Sequence, residues 1–305
     1  MGKFGAPRRT LHGLTVLLLI IAAGCNSDQG SAANAQRLLV AMDDPPTVAI
    51  YRAAAETGTL PLATISETAP DSPAGIGIDA AGEVFIANRN GNVRVFAADP
   101  QGNYELVRSY AGPHTRIEQP TAIAVNFAGS FYVADRGNGH GRVEWFSGGA
   151  TNDIYPDKVL EGAHTRITTP SGIALDGSGR AFVANQASNE VLVFDPMAEG
   201  DVAPLTVLGG LRAPGHLVVD DMLNVYVINT ADDSVAIFES VGPQSWRLKR
   251  VLAPPSLRQA AGVAIDDAGE IAIGALGGVR FFSADADPRR TLGIANDHLA
   301  DVVTH

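Results

Sequence analysis

The sequence predicts an all-β protein: a closed ring of six four-stranded antiparallel blades, a β-propeller, whose N- and C-terminal segments share one blade. Three observations predict it. One motif recurs along most of the chain, with copies starting at residues 73, 120, 170, 214 and 260. The composition suits short strands and tight turns, with 33 glycines, 18 prolines and only 6% aromatic residues. The two ends of the chain also carry complementary fragments of one further copy.

The clearest copy of the motif is PSGIALDGSGRAFVANQASNEVLVFD, from Pro170 to Asp195. PAGIGIDAAGEVFIANRNGNVRVF, PTAIAVNFAGSFYVADRGNGHGRVEWF, PGHLVVDDMLNVYVINTADDSVAIF and AAGVAIDDAGEIAIGALGGVRFF align on it. The offsets are 47, 50, 44 and 46 residues. A period of roughly 40 to 50 residues with several strands per unit marks propeller blades.

Each unit reads as four strands. A first short strand such as GIALD runs into an Asp-x-x-Gly turn, where Asp bonds the backbone two residues on and Gly takes the left-handed conformation. A second strand such as RAFVAN follows, then a polar hairpin, then a third strand such as VLVF with period-two alternation. A fourth segment ends in patterns such as KVLEG (158–162), LTVLGG (205–210) or LKRVLA (248–253).

The ends set the blade count. Arg37 to Tyr51 (RLLVAMDDPPTVAIY) matches the second and third strands of the unit, and Leu60 to Ile65 supplies a fourth. Only a first strand is missing, and ADVVTH (Ala300 to His305) is expected to provide it. Ring closure of this kind removes the exposed strand edges of an open array.

Residues 1–24 read as a leader outside the fold. Lys3, Arg8 and Arg9 precede an apolar run, LTVLLLIIAA, too short to span a bilayer as a helix. The run ends in Ala22-Ala23-Gly24-Cys25, which resembles a bacterial lipoprotein box, with Ala22 where that family usually has Leu. The resemblance implies cleavage before Cys25, lipidation of Cys25 and anchoring at a membrane surface in the cell envelope, periplasmic or cell-surface. Cys25 is the only cysteine, so no internal disulfide can form. Residues 25–36 are small and polar and read as a flexible tether, leaving 37–305 as the propeller. Without Lys3, Arg8 and Arg9 the 22 cations fall to 19 against 33 acids, a net charge of −14. Such a surface repels phosphate backbones, so nucleic acid is not an expected partner. The expected partner is a protein, peptide or glycan bound by a monomer.

The pattern P-x-G-I-A-[VL]-D, G-x-x-[FY]-V-A-[ND], polar hairpin, V-x-V-F resembles NHL-type repeats over residues 37–305. That likeness implies the fold and leaves function open, because similar propellers host lactonases, lyases and plain binding modules.

Chemistry-bearing residues gather at the blade joints. The string HTRI occurs at 114–117 and again at 164–167, each three residues before a proline. The apolar position recurs in four joints as Ile117, Ile167, Leu211 and Leu257, which makes it an inter-blade plug. Arg116 and Arg166 read as solvated or aspartate-paired. The joints and the second-to-third-strand hairpins lie on one face of the disc, so His114, His164, His140 and His216 form a candidate binding rim with Arg116 and Arg166. Neutral histidine ligates zinc, which keeps a Zn site on this rim in view, and the recurrent carboxylates do the same for Ca. The NHL-type resemblance also accounts for His140, a histidine common in that hairpin. The hairpin from Arg136 to Arg142 is the longest of its kind and holds Gly137, Gly139 and Gly141, as a binding loop or a tolerated insertion would. Asp79, Asn126, Asp176, Asp220 and Asp266 recur after first strands, and Asn88, Asp135, Asn185 and Asn229 after second strands. One per blade, they read as turn and strand-end chemistry.

The gluconolactonase-type Glu-Gly-Pro-x-Trp segment is absent, as are a Gly-x-Ser-x-Gly elbow, His-Glu-x-x-His and a phosphate-binding glycine loop. No catalytic residue and no cofactor is therefore assigned. The expected function is a lipid-anchored, non-catalytic binding module. The alternative is a metal-dependent lyase or lactonase-type propeller using the rim and channel histidines.

Overall fold

The computed structural model describes residues 17–21, 37–43, 45–67, 71–137, 139–149, 151–196, 198–283 and 287–294. Blade one contains β1 (Leu17–Ile21), β2 (Arg37–Asp43), β3 (Pro46–Arg52) and β4 (Ala63–Ser66). Blade two contains β5 (Pro73–Ile78), β6 (Val84–Asn88), β7 (Asn92–Ala98) and β8 (Tyr104–Ala111). Blade three contains β9 (Pro120–Val125), β10 (Phe131–Asp135), β11 (Arg142–Phe146) and β12 (Lys158–Leu160). Blade four contains β13 (Pro170–Leu175), β14 (Ala181–Asn185), β15 (Glu190–Phe194) and β16 (Thr206–Leu208). Blade five contains β17 (Pro214–Val219), β18 (Val225–Asn229), β19 (Ser234–Gly242) and β20 (Ser245–Leu252). Blade six contains β21 (Gly262–Ile265), β22 (Ile271–Ala275), β23 (Gly278–Phe282) and β24 (Pro288–Gly293). Each blade is an antiparallel meander of four strands in chain order, and the six form a β-propeller.

Burial along each blade follows the sequence pattern. The second strands are covered on both faces, and β6, β14, β18 and β22 are buried at every residue. That is why VFIAN, AFVAN, VYVIN and IAIGA read as continuous apolar runs. Outer strands are wetter: β20 buries only Leu252. Six apolar clusters fill the six gaps between neighbouring blades. The one that closes the ring joins Leu38, Val40 and Tyr51 of blade one to Ala272, Phe281 and Leu292 of blade six. Covering a side chain of this size contributes about 1.5–3 kcal/mol relative to exposure.

The ring is also clasped from outside. After β3 the chain crosses onto β24, where Thr57 Oγ1 donates to the Thr291 carbonyl at 3.0 Å and accepts the Gly293 N–H at 2.9 Å. Arg290 reaches back to the carbonyls of Ala53 and Ala55. Loops 147–157 and 195–205 make the same crossing. Asn152 N–H donates to the Ser109 carbonyl of β8 at 2.6 Å, and Gly200 N–H to the Val159 carbonyl of β12 at 2.7 Å.

One expectation is corrected. The innermost place in blade one, assigned from sequence to Ala300–His305, is taken by Leu17–Ile21, paired with β2 from Leu17↔Ala41 to Ile21↔Arg37. The apolar run read as a leader outside the fold thus contributes a strand to the sheet. LLLII is aliphatic throughout, whereas ADVVTH holds Asp301, Thr304 and His305. Residues 300–305 lie outside the described residues, as does Cys25.

Candidate functional site

The two HTRI joints share one backbone geometry. Each opens with a single 3-10 turn, Pro113–Thr115 or Ala163–Thr165, and then places Arg116 (φ 60°) or Arg166 (φ 63°) in the left-handed conformation. The threonine holds the joint. Thr115 is fully buried, donates to the Gly112 carbonyl at 2.7 Å and accepts the Ile117 N–H at 3.2 Å; Thr165 repeats both bonds. Ile117 and Ile167 are each 5% exposed between blades, with Leu211 at 5% and Leu257 at 3% in the equivalent places.

The histidines face aspartates of the clasping loops. Asp153 accepts both the His114 backbone N–H and its Nδ1, each at 2.7 Å. Asp201 accepts the same two groups of His164 at 2.6 and 2.7 Å. Partial desolvation acts to raise the Asp153 carboxyl, but the bonds from His114 outweigh it and hold it below the ordinary value. The His164 ring bond does most to depress Asp201. The sequence carries a signal for these partners: a D-x-x-P string recurs with HTRI, as DIYP (153–156) and DVAP (201–204). Arg116 pairs with Glu161, and Arg166 with Glu190 at 2.6 and 2.7 Å. These eight residues serve blade-to-blade contacts. His140 is exposed in its hairpin. Among the described residues, no three of His, Cys, Asp and Glu converge as a metal site.

The recurrent Asp and Asn residues do the turn work expected of them. Asp79, Asn126, Asp176, Asp220 and Asp266 each accept the backbone N–H groups two and four residues on. Asp135 accepts from the N–H groups of Glu118 and Gln119, Asn185 from Thr168 and Thr169, and Asn229 from Arg212, so the second strands of blades three, four and five cap the joints that lead into them, whereas Asn88 of blade two donates to Glu67 and Asn92 instead.

The long glycine hairpin covers a buried ionic cluster. Arg142, 5% exposed, donates to Glu144 and to the Arg116 carbonyl and lies 3.4 Å from Glu118 and 3.9 Å from Asp135. A Cβ at Gly137 would come within 2.6 Å of the Arg142 guanidinium, so glycine lets the chain arch over it. Glu144 is fully buried and its Oε2 has no partner among the described residues. Burial, reinforced by Asp135 and opposed by Arg142, pushes the Glu144 carboxyl up to about 8 from 4.5. The folded protein therefore holds a proton that the unfolded chain loses. The stabilisation is complete below the unfolded value and fades as pH rises through about 8. Wild-type stability, measured by denaturant unfolding at about pH 5.5 and about pH 8.5, should fall toward the higher pH, and Glu144→Gln should flatten that slope.

A cavity of about 660 Å³ lies in the central channel. Its lining includes the inner strands β5, β9, β13 and β17 together with the turns Asn126–Ala128, Asp176–Gly179 and Asp220–Asp221. It therefore reaches the turn end of the inner strands, opposite to the joints and the proposed histidine rim. Ile78, Val125, Leu175 and Val219, the last residues of those strands, form an aliphatic collar there. Phe127, 85% exposed, stands at the mouth.

Only His216 of the four candidate histidines lines this channel. It occupies the third position of the inner-strand motif, held elsewhere by Gly75, Ala122, Gly172 and Gly262. Small residues fit there because neighbouring inner strands approach closely: a Cβ at Gly172 would lie 2.3 Å from the Gly215 carbonyl oxygen. His216 lies in the bulge of β17 between Pro214 and Leu217, and the Val263 N–H approaches its Nδ1 at 3.5 Å. Desolvation pushes the ring down to about 4, so it is neutral at pH 7.

No family model matches the chain, and no curated protein matches it. Solved structures similar to it include a protein of unknown function from Desulfotomaculum acetoxidans, 16% identical over 93% of this chain and 86% of that one, with a TM-score of 0.61. The Cps50 (Swd1) β-propeller domain of Myceliophteria thermophila is 11% identical over 85% of this chain and 84% of that one, with a TM-score of 0.58. A streptogramin B lyase is 13% identical over 76% of this chain and 72% of that one, with a TM-score of 0.52. At these identities the likeness is one of fold.

Proposed function

We propose that this chain is a lipid-anchored, NHL-like propeller that binds its ligand in the central channel at the cell envelope and performs no chemistry on it. The observation that supports the reading most is the channel itself, a largely apolar space of about 660 Å³ in which His216 is the one histidine among the described residues of the wall. A largely apolar, pre-formed cavity with few polar groups is the usual form of a small-ligand site. The metal-dependent lyase or lactonase alternative needs several convergent ligands, and the other three candidate histidines lie away from His216: two on clasping aspartates and one in a hairpin. The anchor rests on the basic leader, the apolar run and the small residues before Cys25. Cys25→Ser should move the protein from the membrane fraction to the soluble fraction, and membrane association unchanged by that substitution would count against lipidation.

The binding reading is tested on the full chain with Nile red, an uncharged apolar dye. Saturable fluorescence gain is expected, lost when the collar is filled by Leu175→Trp or Val219→Trp with the melting temperature kept. Calorimetric Zn²⁺ binding at one equivalent, lost in His216→Phe, would overturn the reading in favour of the metal-dependent enzyme.

A further inference from the structure

The channel has a depth and a polarity that restrict what it takes, provided it is the binding site argued above. The apolar collar sits at the end of β17, at Val219. His216 sits three residues further in, which at the rise of a strand is roughly 10 Å. Between these levels Ile123, Ile173 and Leu217 make the wall largely aliphatic, with the Tyr132 ring joining it beside Ala124, just inside the collar.

Among the described residues of the lining, His216 is the one side-chain hydrogen-bonding group at the level of the third inner-strand position. Its Nδ1 faces the Val263 N–H, so the ring proton belongs on Nε2, which acts as a donor. Desolvation keeps the ring uncharged at pH 7, so it offers a hydrogen bond without a charge.

The mouth discriminates by charge. Asp176 is neutralised by Arg180 at 2.6 Å. Asp220 spends its acceptors on the Met222 and Asn224 N–H groups, the Asn224 amide and the Tyr226 hydroxyl, with no cation among those partners. Asp221 is exposed beside it. Among the described residues no Lys or Arg lines the cavity. An anion entering here meets carboxylates at the mouth and no countercharge inside, while a cation that reaches the deep end finds a donor where it needs an acceptor.

We propose that the channel receives an elongated, uncharged ligand, apolar over roughly 10 Å and ending in an oxygen acceptor that meets the His216 Nε2–H. A carbonyl, ether or hydroxyl oxygen satisfies this equally.

The test uses three probes with one apolar body and different heads, decanol, decanoate and decylammonium, as competitors of Nile red on the full chain. Decanol is expected to displace the dye at the lowest concentration. His216→Phe keeps a ring of similar size and removes the donor, and should weaken decanol roughly three- to tenfold, the worth of one uncharged hydrogen bond. Decanoate or decylammonium competing as well as decanol would overturn the proposal, as would decanol affinity unchanged in a folded His216→Phe protein. Dye that still binds when the collar is filled by tryptophan sinks the channel reading itself, whatever the head-group order. Loss on filling with the wrong head-group order sinks only this inference.

Discussion

Ile117→Ala and Ile167→Ala should each destabilise the propeller by about 2–5 kcal/mol, the usual cost of deleting a buried aliphatic side chain and leaving the cavity behind. Each isoleucine lies in the apolar cluster between two blades, Ile117 with Phe131 and Phe146, and Ile167 with Leu160 and Phe194. Backbone on both sides of each joint is fixed by the threonine and the second-strand Asp or Asn, so the gap cannot easily collapse. His114→Ala should shift stability by less than about 0.5 kcal/mol, because the bond that orders the turn comes from the backbone N–H and survives the substitution. Thr115→Ala should fall between, since it strands the buried Ile117 N–H. Equilibrium urea unfolding of the four variants ranks them. A cost at His114 equal to that at Ile117 would mean that the histidine, and not the plug, carries the joint.

The contrast between Ile and His within one tetrapeptide marks how far the sequence reads. The plug is legible because four joints keep an apolar residue at the same distance from the next inner strand, and a recurring position needs only local comparison. Blade number and the turn role of Asp79, Asn126, Asp176, Asp220 and Asp266 are legible for the same reason. The partners of His114 and His164 are not. They lie 39 and 37 residues away, on loops whose path is set by packing against the preceding blade.

The channel site was half legible. His216 breaks a small-residue position, and that departure is visible in the repeat alignment. Which end of the channel it serves depends on where the cavity opens, and the joints drew attention to the opposite end. Glu144 carried no signal at all, because a glutamate on an alternating strand looks solvent-facing until the neighbouring blade covers it.

Removing the inner strand of blade one is the second large effect, and its size depends on which segment fills the place. In the full chain Leu17–Ile21 pairs with β2 over five residues. Cleavage before Cys25 would take that strand away and leave one edge of β2 facing the channel with its backbone groups unpaired. Such an edge loses ladder bonds and apolar cover together, which should cost several kcal/mol. At roughly 2–4 °C per kcal/mol for a domain of this size, the melting temperature should drop by about 10 °C. If Ala300–His305 takes the vacated place, as the missing first strand in the repeat suggests, a chain beginning at Cys25 should melt within a few degrees of the full chain. One that begins at Cys25 and stops at Leu299 should show the whole loss. The outer clasp of Thr57 and Arg290 on β24, together with the apolar cluster between blades one and six, should keep the ring closed in all three. The loss should therefore appear as lower stability with the β-sheet circular dichroism retained below the transition. If the chain beginning at Cys25 already shows the full drop, the C-terminal segment does not substitute, and the blade depends on Leu17–Ile21 alone. That result would set the strand against the leader reading, since the residues that complete the ring would be the ones processing removes.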